Sequence, residues 1–85
     1  MYYVYILQSL KDSKFYTGLA KDVPRRLSEH NGGFVKPTKG RRPLKLVYTE
    51  KFKTLAEARS REKFFKTGSG REFREEILKQ KHIPR

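Results

Sequence analysis

Tyr2-Tyr3-Val4-Tyr5-Ile6-Leu7, answered after a polar stretch by Phe15-Tyr16-Thr17-Gly18, is the part of this chain whose reading decides the fold. Both arms are rich in aromatic and β-branched residues, and Lys11-Asp12-Ser13 between them is turn material, so the stretch reads as a β-hairpin. Side chains alternate across a strand, which puts Tyr3, Tyr5 and Leu7 on one face and Tyr2, Val4 and Ile6 on the other. With an even-numbered loop, cross-strand parity brings Tyr16 and Gly18 to the face of Tyr5. Two phenols then flank a glycine whose bare backbone lets a ligand approach the sheet closely. Ordinary strand packing is the alternative use of the same tyrosines.

Working outward, Asp22 has the chemistry of a helix N-cap, and Pro24 falls in the first turn, where a missing N–H costs little. The helix stops near Asn31-Gly32-Gly33, where a glycine can take the left-handed cap conformation. Val23 and Leu27 form its apolar contact. Arg26 and His30 are expected on the edge of that stripe, as a phosphate clamp or as a solvated basic face. Residues 34–42 read as a loop, ordering on contact with a polyanion through Lys36, Lys39, Arg41 and Arg42. Leu44 to Phe52 is a third strand, with Leu44, Leu46, Tyr48 and Phe52 on one face by parity.

Thr54-Leu55-Ala56-Glu57 is a capping-box pattern opening a helix that runs to Lys66. Leu55, Ala58 and Phe65 share one sector of its wheel, and Glu62 projects into the same sector. A carboxylate there must be paired, snorkel or bind a cation. Thr67-Gly68-Ser69-Gly70 separates this helix from a last one, Arg71 to about Lys79, with Phe73 and Ile77 facing inward. Residues 79–85 are expected as a flexible basic tail, in which His82 stands alone. The order strand, strand, helix, strand, helix, helix is an α/β domain of the α+β type. It predicts a three-stranded, mainly antiparallel sheet flanked by three helices, a single domain over residues 1–85.

Composition narrows the function. Twenty-one Lys and Arg against nine Asp and Glu give a formal charge of +12 on 85 residues, which selects polyanionic partners, nucleic acid foremost. The absence of cysteine excludes disulfides and thiolate metal sites and fits a reducing, cytoplasmic setting. There is no apolar run long enough to span a membrane, and with an expected strand directly after Met1 no signal peptide is expected.

Tyr3-Val4-Tyr5 and Tyr16-Thr17-Gly18 resemble the two halves of the motif that names the GIY-YIG nuclease superfamily. The helix from Asp22 to Asn31 resembles that family's next motif, and Arg61-Glu62-Lys63 the one carrying its metal-binding glutamate. The resemblance covers nearly the whole chain and is strongest to the small, single-domain, excinuclease-C-like members. It implies a DNA endonuclease, structure-dependent or of low sequence specificity, that hydrolyses phosphodiesters with one divalent ion, Mg²⁺ or Mn²⁺. Tyr5 and Tyr16 then correspond to the motif tyrosines, one of them helping to activate water. Arg26 corresponds to the arginine on the scissile phosphate, His30 to a residue near the nucleophile or phosphate, and Glu62 to the metal ligand. Tyr3 stands where the motif has its first glycine, Thr17 where it has isoleucine, and Leu19 where other members carry a lysine. A nearby cation and guanidinium are expected to bring the phenol from its ordinary pKa of about 10 toward working pH. The implied partner is DNA, or RNA, bound by a monomer without a membrane or small-molecule cofactor. A catalytically idle nucleic-acid-binding domain, or a basic accessory subunit of a repair or ribosomal assembly, is the competing function.

Overall fold

The computed structural model describes residues 1–81; the rest of the expected tail, His82 included, lies outside the described residues. β1 (Tyr2–Ser9) and β2 (Phe15–Ala20) form the hairpin. α1 (Val23–Asn31) follows, then a 3₁₀ turn over Lys36–Arg41, β3 (Leu44–Phe52), α2 (Leu55–Phe65) and α3 (Gly68–Lys81). The sheet is antiparallel throughout, in the order β2-β1-β3. This is the α+β architecture and element order that the sequence predicts.

β1 is the central strand, and both of its faces are covered. Val4 and Ile6 are fully buried beneath α2 and α3, with Ala58, Phe65 and Leu78. Tyr5 and Leu7 face the other way, toward Val23 of α1 and Leu44. At roughly 1.5–3 kcal/mol for each large apolar side chain removed from water, these few residues supply most of the drive for so short a chain. Tyr5 opposes Gly18 and Leu7 opposes Tyr16, so the two tyrosines and the glycine do share the α1 face.

The parity expected for β3 holds only in halves. Ile6 pairs with Tyr48 and Leu7 with Leu46, so one residue is skipped and the strand bulges at Val47. Leu44 consequently packs on the α1 side, whereas Tyr48 and Phe52 pack under α2 and α3.

Helix ends follow local chemistry. The Asp22 carboxylate accepts from the Arg25 N–H at 3.1 Å. At the far end of α1, Phe34 N–H bonds Glu29 O and Gly33 N–H bonds His30 O, with Gly33 at φ 83°. That is a Schellman cap, and glycine fits its left-handed position. Thr54 and Glu57 make both bonds of the capping box that opens α2. α3 starts three residues before the expected Arg71, because the Thr67 hydroxyl accepts the Gly70 N–H at 3.0 Å, and it continues to Lys81. Residues 79–81, expected in the tail, are therefore helical.

Candidate active site

Tyr5 anchors the site from the middle of β1. Its ring is 1 % exposed and lies across Gly18 of β2, where a Cβ would overlap the phenol oxygen and the carbon bearing it. Thus Gly18 is glycine because Tyr5 occupies the space a side chain would need.

The Tyr5 hydroxyl bonds His30 Nε2 at 2.9 Å, and His30 Nδ1 lies 2.7 Å from Thr38 Oγ1. Thr38 donates its single hydroxyl proton to the Val35 carbonyl, 3.3 Å away. The threonine must then accept from His30, which places the imidazole proton on Nδ1 and leaves Nε2 free to accept from Tyr5. Proton positions run in one direction from Tyr5 through His30 and Thr38 to Val35 O. Burial, reinforced by the Arg26 charge and only partly opposed by Glu29, holds His30 below its ordinary pKa of 6.5, in the neutral form this chain requires. Tyr16 completes the enclosure, its ring edge-on to His30 with centroids 5.1 Å apart.

Two expectations need correction here. His30 does not sit on the edge of α1: it is fully buried and extends the stripe begun by Val23 and Leu27, with both ring nitrogens engaged inside the protein. It therefore has no free nitrogen to clamp a phosphate. Nor does the Arg26 guanidinium by itself draw the phenol of Tyr5 toward neutral pH. Burial pushes it up to about 12, against the opposing influence of the Arg26 guanidinium.

Arg26 projects from the same helix, half-exposed. Its Nη1 donates to Glu29 at 2.9 Å, and the guanidinium also engages the Tyr5 hydroxyl. One planar group is thus fixed by a carboxylate on one side and a phenol on the other, with donors left over. Glu29 and Thr38, which hold Arg26 and His30 in place, escaped the sequence reading. Glu29 was legible as a carboxylate three residues after Arg26; Thr38 was not, since nothing local ties it to a histidine eight positions away.

Glu62 reaches the same neighbourhood from α2 and contributes to raising the Tyr5 pKa. Its carboxylate is 25 % exposed and accepts from Lys66 Nζ at 3.1 Å, so it sits at the rim of the apolar stripe and is paired. Arg61 beside it sets the rotation of α2. It grips Glu50 of β3 through Nε at 2.7 Å and Nη2 at 3.0 Å, above the rings of Phe64, Phe65 and Phe73. No group of three His, Cys, Asp or Glu able to hold a metal occurs among the described residues. Glu62 alone is a weak metal site, and an ion bound there would keep several waters.

The basic segment forms a 3₁₀ turn over Lys36–Arg41 rather than a plain loop. Pro37 sits in the first turn of the 3₁₀ element and the buried Thr38 pins it to His30. Arg41 Nε lies 3.4 Å from the Asp12 carboxylate, and Arg42 Nε donates to Lys39 O at 2.8 Å. Lys36 and Lys39 point to solvent. No helix among the described residues is long and apolar enough to cross a membrane.

Residues 1–80 match the family described as the GIY-YIG catalytic domain. A UPF0213 protein of Staphylococcus saprophyticus is 49% identical over 69 residues, covering 80% of this chain and 83% of that one. One from Halobacterium salinarum is 44% identical over 63 residues, covering 73% and 80%. The solution structure of a UPF0213 protein from Bacillus halodurans superposes with a TM-score of 0.60 at 41% identity, covering 99% of this chain and 89% of that one.

Proposed function

The chain belongs to the GIY-YIG catalytic domain family, and on that premise we propose that it is an endonuclease hydrolysing phosphodiester bonds in DNA. The observation that carries the reading is the oriented chain Tyr5–His30–Thr38–Val35 beside the half-exposed Arg26. Burial alone requires a partner on each imidazole nitrogen; what supports chemistry is that the phenol on Nε2 also meets the guanidinium of Arg26, which reaches solvent.

The pKa values decide how such a chain works. Burial holds the Tyr5 phenol high, at about 12, and the His30 imidazole below its ordinary value, so outright transfer of a proton from one to the other is uphill. A free phenolate is therefore a poor candidate for the base. Tyr5 acts instead as a relay: its oxygen takes the proton of the attacking water as its own proton passes to His30 Nε2. Arg26 binds equatorial phosphate oxygens through the donors that Glu29 and Tyr5 leave available. Tyr16 orients the water or the phosphate with its hydroxyl. Glu62 would hold one divalent ion, Mg²⁺ or Mn²⁺, with Lys66 giving up part of its hold on the carboxylate. When bound, that ion supplies Lewis-acid charge at the phosphate.

The test is metal-dependent nicking of plasmid and branched DNA by wild type, Tyr5→Phe, His30→Gln and Glu62→Gln, with melting temperatures taken on the same preparations. Folded variants should lose nicking by about 10²-fold or more, the scale of a proton-transfer or charge-stabilising group. Wild-type turnover in all three would overturn the roles given to these residues, and a folded wild type that binds DNA without nicking it would end the enzymatic reading.

A further inference from the structure

Resting on that nuclease reading, we propose that the cleft between the β1–β2 turn and the α2–α3 corner is a second phosphate site, holding a DNA phosphodiester that flanks the one cleaved. The cleft, of ≈ 660 Å³, is lined by Lys14, Tyr16, Arg41, Lys66, Arg71 and Arg74 among others. Among the described residues lining it, Glu75 alone is acidic.

The charges there divide into paired and unpaired. Arg41 faces Asp12 at 3.4 Å, although its Nε makes no hydrogen bond among the described residues, and Lys66 has Glu62. Lys14, Arg71 and Arg74 make no ion pair with a carboxylate among the described residues. Arg74 is the telling case. Its guanidinium lies 4.8 Å from the centre of the Phe15 ring, while its Nε is buried with no hydrogen-bond partner among the described residues. Burial, helped by the neighbouring Arg71 and opposed by Glu75, lowers its hold on its proton. Two guanidiniums one helical turn apart in a partly desolvated cleft repel each other, and an anion between them relieves both the repulsion and the missing bond.

The cleft is continuous with the candidate active site at two residues. Tyr16 lines it and packs on His30; Lys66 lines it and holds Glu62. A strand presenting one phosphate to Arg26 and Glu62 passes over Tyr16 and lays its neighbour against Arg71 and Arg74.

Binding of a short fluorescein-labelled DNA duplex in EDTA, across a salt series, separates this site from turnover. Lys14 and Arg71 are exposed, so Lys14→Ala and Arg71→Ala should melt as wild type does. Each should reduce the slope of log affinity against log salt by about one, the value for one lost phosphate contact. Lys53, which does not line the cleft, is the control, and Lys53→Ala should leave the slope alone. A slope untouched by the cleft variants, or reduced as much by Lys53→Ala, overturns the second site and leaves the nuclease reading standing. A wild-type protein that neither binds nor nicks DNA overturns both.

Discussion

At the scale of single residues, the site turns on contacts that tolerate no substitution of size or polarity. Gly18→Ala would force the buried Tyr5 ring off His30, because the added methyl would overlap the phenol oxygen and the carbon bearing it. The expected cost is about 1–3 kcal/mol, typical of overpacking, together with loss of nicking. Denaturant unfolding and the plasmid assay read the two effects separately. Thr38→Val keeps the shape but strands the His30 Nδ1–H, a loss of about 1–3 kcal/mol that also frees the tautomer. For pH, a relay through neutral His30 gives a rate with an acid limb below 6.5 and a plateau through neutral pH, whereas a phenolate base gives a rate still climbing into the alkaline range. Stability carries the same sign. The unfolded imidazole takes its proton near 6.5 and the folded one only at lower pH, so the contribution of His30 is full above 6.5 and lost as pH falls through its folded value. Urea titrations of wild type and His30→Gln should converge at acid pH. Much of this was legible in the sequence: Tyr5, Tyr16 and Gly18 follow from strand parity. The inward turn of His30 was also there, in the spacing Val23, Leu27, His30, but a histidine beside an arginine invites a surface reading.

At the scale of elements, capping residues announced themselves and register irregularities did not. Asp22, the Thr54–Glu57 pair and Gly33 each act within a few residues of their own position, where sequence carries the signal. The bulge at Val47 is a property of two paired strands, so parity counted along one strand could not reveal it. Tight packing of α3 on α2 is similar. A Cβ on Gly70 would run into the Phe64 carbonyl, while one on Gly68 would meet open space. Gly70→Ala should therefore destabilise by several kcal/mol and displace α3, and Gly68→Ala should be neutral or mildly stabilising, since helix propensity favours alanine by about 1 kcal/mol. Thermal melts of the two variants side by side check this; equal melting temperatures would show that α3 does not need its close approach.

At the scale of the whole molecule, charge and size set one further expectation. The chain carries +12 on a body about 28 Å across. At 0.01 M salt the screening length is ~30 Å, so every cation feels every other; at 0.1 M it is ~10 Å, and repulsion becomes local. The ion pairs among the described residues are all at least partly exposed and yield little on screening. Relief of self-repulsion should win, and the melting temperature of the DNA-free protein should rise between those two salt concentrations. A gain of ~1 kcal/mol would appear as roughly 4–8 °C in a domain of this size. With duplex DNA in excess the sign should reverse, because the stabilisation from binding depends on affinity, which falls steeply with salt. Melting curves with and without DNA should therefore approach each other as salt rises. If the free protein instead melts earlier in 0.1 M salt, short-range pairs such as Arg61–Glu50 dominate over the net charge. The excess of cations would then be dispersed too widely to strain the fold, and the unpaired Arg71–Arg74 cleft would have to account for its cost locally.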